Sequence, residues 1–485
     1  MLENQNHLLE LERQLSNTES SSAPELTSQP TTSSAPELTS LPTISSAKIE
    51  IRNIKEIIFN HATKLHRLYQ RGDDLSNEQL EAMSKGLSCT LDLGEPETEG
   101  TLRCLFPEDV WTTLIAKYTL RYKTVPSVID ISLIEKWNYI MNLYNHQNGV
   151  RGAKKYLNQL KSQDNLKDVN EKVFDLYEEI LFLVESKDFM LNTRNSSKIS
   201  ERDYIYQIWL PLLSKLCNIN KNIVRIKTGE TVSENTTVSK ANLYHNHTNI
   251  VGFKTDLRIL VDFDDEEFDL VCGEGCLRDA SDKKISSDTS KLAREAKEAE
   301  VAIQHIYNST DKDFIKSRAW LCQFIGPQCI FSTIHATKHQ YHVVIPEFSL
   351  SFPTSFLGSD GINSIKCLFT FRDSVEKAAL AIKKILGENK QKITTAKNSS
   401  RCLSFIPERL NIIPEPTWFT PPHADRSLSR IPSHIVFESG IESDDCQEDQ
   451  DECSQIADVY GFIKTKTGWF STVVDAEFTT HPFHD

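Results

Sequence analysis

The sequence predicts a mixed α/β (α+β) protein, preceded by a helical region and carrying unstructured arms at both ends. Three observations carry that expectation. Two extended, mostly apolar runs, Ile250–Val261 and Glu267–Cys272, flank an acidic tip and are followed by a long amphipathic helix and three more strand-like runs. Apolar residues recur at helical spacing between Lys48 and Lys187. Both ends are poor in residues that could build a core.

Taken in order, residues 1–47 hold a short Leu-bearing stretch and a tandem repeat, SSAPELTSQPTT (Ser21–Thr32) and SSAPELTSLPTI (Ser33–Ile44). Ser, Thr and Pro dominate it, so it reads as a disordered arm. Residues 48–190 read as a helical region. Ile51, Ile54, Ile58, Leu65 and Leu68 mark a helix over Lys48–Arg71. Val110, Leu114, Ile115, Tyr118 and Leu120 give an apolar face to Pro107–Tyr122. Ile131–Tyr144 and Val169–Val184 follow the same pattern, with breaks expected at Pro126 and Gly149–Gly152. Trp111, Trp137 and Tyr139 are expected in the core.

Residues 198–387 read as the α/β core. Ser200 is a good N-cap for a helix running toward Cys217, with Glu201 in its first turn and Pro211 forcing a kink or restart. Ile223–Ile226 is a short strand that Thr228-Gly229-Glu230 should end, and Ser233–Asn249, with His245 and His247, reads as a loop. Ser290–Asn308 is an amphipathic helix. Ala319–Ile325, Cys329–Ile334 and Tyr341–Ile345 are strands, and Ser374–Leu386 is a closing helix with Gly387 as its stop. Residues 388–485 read as a mainly disordered acidic tail; Ile441–Cys453 carries seven carboxylates and no base.

Composition narrows the function classes. The 485 residues suffice for two or three domains. The formal charge of −14 sits at the ends: residues 401–485 hold 15 Asp/Glu against 6 Lys/Arg, and residues 1–47 hold 6 Glu against 1 Arg. The remainder is neutral, which argues against a strongly basic nucleic-acid binder but leaves room for a local basic groove. No run of apolar residues reaches membrane-spanning length and no secretory signal is visible, so an intracellular location, cytoplasm or nucleus, is expected. The 11 cysteines include no CxxC pair, which disfavours a zinc ribbon or a disulfide framework.

The chemistry-bearing residues gather in the core. Glu201 opens a helix, Asp256 lies in the strand run KTDLR (Lys254–Arg258), and Glu274 lies in GEGC (Gly273–Cys276) at the end of the next strand. KISSDTSKL (Lys284–Leu292) begins the helix that follows. Carboxylates from separate elements can hold one or two Mg²⁺ while leaving positions for water and phosphate oxygens. Such a metal lowers the pKa of a bound water and neutralises charge on the phosphate, and a lysine shields what remains. Without a cation the carboxylates repel one another.

In that order of helix, three strands, helix and strand, and on those residues, the chain resembles the PD-(D/E)XK, or restriction-endonuclease-like, nuclease superfamily, including fungal proteins built on such a core. The resemblance covers about Lys198–Leu386. It implies a central mixed sheet flanked by helices, with Glu201, Asp256 and Glu274 as ligands of Mg²⁺ (Mn²⁺ can substitute). It implies hydrolysis of DNA phosphodiester bonds. The superfamily's lysine would fall at position 276, where this chain has Cys276. Lys283, Lys284, Lys291 or Lys254 can substitute, and Lys284 and Lys291 are the expected catalytic cations. The alternative is a catalytically inactive module of the same fold that binds nucleic acid or protein. Read without the resemblance, Glu201 is a helix-terminal carboxylate, Asp256 and Arg258 form a surface pair, and Glu274 sits in a turn. On that reading Asp262 to Glu267 are a solvated hairpin tip, Cys272 and Cys276 are small buried residues, and Asp288 pairs with Lys291.

Overall fold

A computed structural model describes residues 54–146, 149–163, 167–220, 223–307, 317–398 and 415–432, with three short strands beyond them. The expected N-terminal repeat arm and the acidic run 441–453 lie outside the described residues. From Ile54 onward the chain gathers into one compact unit. It is a mixed helix–sheet protein, and its centre is a seven-stranded mixed sheet.

Two helices, α1 (Ile54–Arg71) and α2 (Asn77–Leu87), lead into β1 (Thr90–Asp92). Four more follow: α3 (Glu108–Tyr122), α4 (Ile131–His146), α5 (Gly149–Lys161) and α6 (Asp168–Ser186). Next come α7 (Glu201–Tyr204), a π turn (Ile205–Trp209) and α8 (Leu210–Cys217). Pro211 follows the π turn within backbone that stays helical from Tyr204 through Leu210, so the helix does not restart there; the proline is met by a π turn in place of the expected kink or restart. The strands β2 (Arg225–Val232), β3 (Lys254–Phe263) and β4 (Glu266–Cys276) form an antiparallel meander. A helix α9 (Glu234–Leu243) lies between β2 and β3. Then α10 (Asp282–Tyr307) crosses to β5 (Ala319–Ile325), which pairs parallel to β4. Finally β6 (Gln328–Ala336), β7 (His342–Ser351) and α11 (Gly361–Asn398) complete the body. The sheet order is β1-β7-β6-β5-β4-β3-β2, with β1 parallel to β7.

Strand alternation divides the core. One face of the sheet, with Leu257, Ile259, Val271, Trp320, Cys322 and Phe324, packs on α4 to α8 and α11. The other face, with Cys272, Leu321, Ile334 and Val344, receives Leu292, Ala293, Ala296 and Ala299 of α10. The alanine stripe lets α10 approach closely over β4 and β5. Arg258 also lies on this side, fully buried, and donates two hydrogen bonds to Asp269 at 2.7 and 2.8 Å. It is therefore a core ion pair and not the surface partner of Asp256.

Several expectations are corrected. α2 and β1 were not anticipated, and β1 joins the sheet from within the segment expected to be purely helical. The helix break expected at Gly149–Gly152 falls at Gly149, which at φ +57° opens α5 after α4 ends at His146, while Gly152 lies inside α5. On α3 the buried face is Trp111, Leu114, Tyr118 and Tyr122, while Ile115 and Leu120 face solvent. Trp111 and Trp137 are buried, but Tyr139 is half-exposed against Tyr156. Gly229 and Glu230 form a bulge within β2, and the strand continues past them. Most of the loop expected at 233–249 is α9. α10 starts at Asp282, and α11 starts at Gly361 and passes through Gly387, whose Cβ position is open space.

The expected tail is also not uniform. Residues 415–432 pack on α1, α2 and α10: Glu415 pairs with Lys55, Trp418 N–H donates to Ser88 Oγ at 3.1 Å, and Arg294 donates to the Trp418 carbonyl at 3.2 Å. Phe462–Lys464, Trp469–Ser471 and Ala476–Phe478 form a small antiparallel sheet. No helix among the described residues is long and apolar enough to cross a membrane.

Candidate active site

The site forms where the open ends of β3 and β4 meet the start of α7 and the first turns of α10. Ser200 caps α7 as expected: its Oγ accepts from the Asp203 N–H at 3.2 Å, and Asp203 accepts from the Ser200 N–H at 2.9 Å. This reciprocal box fixes where the helix begins and so places Glu201. Opposite Leu257 stands Gly273 in the β3–β4 register, so Asp256 and Glu274 lie one step further along as neighbours. Glu274 is buried on the strand and is not in a turn.

The two glycines around Glu274 have a packing reason. A Cβ at Gly275 would stand 2.5 Å from Ile205 Cδ1 of the π turn, and one at Gly273 would stand 2.9 Å from Phe324. The close approach of α7 to β4 thus needs bare backbone at 275. The Gly275 N–H donates to Asp256 Oδ2 at 2.9 Å, which orients that carboxylate across the two strands.

The early start of α10 puts Lys284, Asp288, Lys291 and Glu295 on one helix face, at spacings of four, three and four. Lys284 donates to Asp288 Oδ1 at 2.9 Å. Lys291 donates to Glu274 Oε1 at 2.8 Å and to the Lys254 carbonyl, and lies 3.6 Å from Glu295. Asp288 therefore pairs with Lys284 rather than with Lys291. Sequence reasoning missed Asp288 and Glu295 as members of the site. The signal was their spacing from Lys284 and Lys291; a helix beginning at Ser290 conceals it for Asp288, while the Lys291–Glu295 spacing lay open inside the expected helix.

Electrostatics bind these groups into one set. Burial, opposed by Lys291 and reinforced by Asp256 and Asp288, pushes Glu274 up to about 7. Burial raises Glu201 as well; Lys284 opposes it, and Asp256 and Asp288 add to it. Burial likewise raises Asp288 against the pull of Lys284. Glu295, wholly enclosed and facing Glu274, is raised well above the usual carboxylate range. Burial works against the charge on Lys291, yet Glu295 and Glu274 together lift its pKa. Lys284 behaves the same way, held up by Asp288. Burial and the nearby Asp288 push the Cys276 thiol up to about 11, so it carries neither a positive nor a negative charge at neutral pH. Five acidic side chains, Glu201, Asp256, Glu274, Asp288 and Glu295, thus share one neighbourhood with two ammonium groups.

The donor set is oxygen only, which suits Mg²⁺ or Mn²⁺ over softer metals. Asp288 Oδ2 is buried with no hydrogen-bond partner from the protein, as a metal-facing oxygen would be. As arranged, however, the acids are neighbours and not a closed ligand set. Among the described residues no three His, Cys, Asp or Glu side chains group closely enough to hold a metal ion. Lys291 rather than a third carboxylate faces Glu274. Compared with protein-family models, curated proteins and solved structures, the chain matches none.

Proposed function

We propose that the chain is a metal-dependent phosphodiesterase of the PD-(D/E)XK type acting on DNA. The observation that carries this reading is the lysine. Position 276 holds a buried neutral thiol, yet an ammonium group reaches the same carboxylate from the next element, as Lys291 Nζ lies 2.8 Å from Glu274. The element order supports the reading too. An opening helix, the strands β2, β3 and β4, the helix α10 and the strand β5 follow the order that the resemblance implies, with α9 inserted between β2 and β3.

On this reading Asp256 and Glu274, with Glu201 and Asp288 beside them, would hold Mg²⁺ or Mn²⁺. The metal would supply an acidified water and charge neutralisation at the phosphate. Lys291, held by Glu274, would shield charge on the scissile phosphate, and Lys284 would hold Asp288 in place. The raised value of Glu274 means that it holds a proton below about pH 7 and must release it to bind a cation.

The test is nicking of supercoiled plasmid with Mg²⁺ or Mn²⁺. Wild type should nick, and Asp256→Ala and Glu274→Ala should not. Equal behaviour of all three with either metal would remove the hydrolytic reading.

One observation favours a second reading. Position 276, where the superfamily has its lysine, holds the buried neutral thiol of Cys276, as in a nuclease fold kept for binding alone. In that case both alanine variants should still bind DNA, with affinity that falls as salt rises.

A further inference from the structure

Beside the acid set lies a second constellation that the proposed chemistry does not use. Arg202 follows Glu201 in the first turn of α7, and Lys254 stands two residues before Asp256 on β3, hence on the same face of the sheet. Both reach a single carboxylate, Glu230: Arg202 NH2 pairs with Oε1, and Lys254 Nζ lies 3.5 Å from Oε2. All three side chains are largely exposed.

Glu230 is placed there by an irregularity. The β2–β3 register shifts between Thr228 and Thr231, so Gly229 and Glu230 together stand opposite the single residue Asp256, a bulge of one extra residue. Gly229 has φ +98° and Glu230 φ +56°. The left-handed conformation costs a glutamate roughly 1 kcal/mol. Tyr206, an exposed aromatic, completes the patch; its hydroxyl is 3.7 Å from where a Cβ on Gly229 would stand.

We propose that Arg202, Lys254 and Tyr206 form a docking patch for a nucleic-acid strand next to the acid site, and that Glu230 holds the place of a backbone phosphate. The inference rests on the functional reading above and deepens it. Chemistry favours the exchange. An exposed carboxylate contributes little by pairing with exposed cations. A phosphate offers more acceptor oxygens, and guanidinium binds it through two parallel hydrogen bonds. Tyr206 offers a face on which a neighbouring base stacks. Lys291 links the patch to the site, because its ammonium group donates to the Lys254 carbonyl as well as to Glu274. A strand held between Arg202 and Lys254 would run toward Asp256, which is two residues from Lys254 on the same strand face.

The test is binding of a short fluorescein-labelled single-stranded DNA to the full chain, followed by anisotropy across a sodium chloride titration with Ca²⁺ in place of Mg²⁺. Glu230→Gln should tighten binding roughly two- to tenfold at low salt, since it removes a competitor for two exposed cations. Arg202→Ala and Lys254→Ala should each weaken it and reduce the slope of log K against log salt by about 0.7, the value for one single-strand phosphate contact. Tyr206→Ala should weaken binding without changing the slope.

If wild type binds and all four variants match it in affinity and slope, Glu230 is only a surface ion pair and this inference is overturned, while the functional reading stands. If no variant and no wild type binds, the patch falls, and plasmid nicking decides the functional reading separately. Binding that responds as expected, with no metal-dependent nicking, keeps the patch and removes hydrolysis.

Discussion

Replacing Lys291 by Met tests the electrostatics of the site without invoking a metal. The Glu274 side chain is 5% exposed, and its pKa of about 7 compares with an ordinary value of 4.5. A carboxyl group raised in the folded state binds its proton more tightly there than in the unfolded chain. Its contribution is therefore present at low pH and is lost as pH rises from about 4.5 through about 7. Lys291, at 2.8 Å, is the nearest charge that opposes the upward shift. Without it Glu274 faces Asp256, Asp288 and Glu295 with no lysine opposing them, its pKa climbs further, and the loss continues above pH 7. One proton changes stability by at most about 1.4 kcal/mol per pH unit, so the variant should lose about 1 kcal/mol more than wild type between pH 7 and pH 8. Urea unfolding at pH 6, 7 and 8 reads this directly. The double variant Glu274→Gln/Lys291→Met should remove the pH dependence and so distinguish it from lost packing of the lysine stem. A stability difference that stays constant from pH 6 to pH 8 would refute the coupling.

Three further outcomes follow from the same coordinates. Mn²⁺ affinity, measured by titration calorimetry, should fall by about tenfold per pH unit below pH 7 and level off above it, because the metal competes with the proton on Glu274; equal affinities at pH 6 and pH 8 would contradict this. Gly86→Ala places a Cβ 2.6 Å from Ala62 Cβ and 2.7 Å from the Ile58 carbonyl oxygen, so it should cost about 1–3 kcal/mol at the α1–α2 crossing. An unchanged urea midpoint would show that the helices part freely. Trp418 lies edge-on to Tyr69 at 6.3 Å and beneath Arg294 at 5.3 Å, so Trp418→Ala should cost about 3–5 kcal/mol. A loss below about 1 kcal/mol would mean that segment 415–432 is not part of the core.

The sheet was legible because its strands alternate or run apolar. Ile250–Val261 and Glu267–Cys272 correspond to β3 and β4, and the three later runs correspond to β5, β6 and β7. What escaped has little pattern. β1 is three residues long, and α9 is polar on all sides. The first turns of α10, DKKISSDT, are rich in Ser and Asp, which favour caps and turns in isolation. They are helical because tertiary contacts hold them: Ser286 reaches Glu81, and Ser290 reaches Ser84. That missed start also hid the place of Asp288. Asp256 and Glu274 could be read as strand-end acids from local pattern, but the roles of Asp288 and Glu295 depend on helix phase. Residues 415–432 packed against the core where composition suggested solvent, because contacts far apart in sequence leave no periodic trace.

Satisfaction of buried charge separates the two kinds of acid on this sheet face. Asp269 is buried beside the candidate site, yet both of its oxygens accept from Arg258, and the pair is complete in itself. An ion pair of that kind needs only to fold. Asp288 Oδ2 and both oxygens of Glu295 have no hydrogen-bond partner from the protein, and Glu274 shares one lysine with Glu295. A buried polar oxygen left without a partner costs about 1–3 kcal/mol, and carboxylates that repel one another add to it. The complete Arg258–Asp269 pair shows that this sheet face can neutralise a buried acid fully, whereas Asp288 and Glu295, where β3, β4, α7 and α10 converge, keep buried oxygens with no hydrogen-bond partner from the protein.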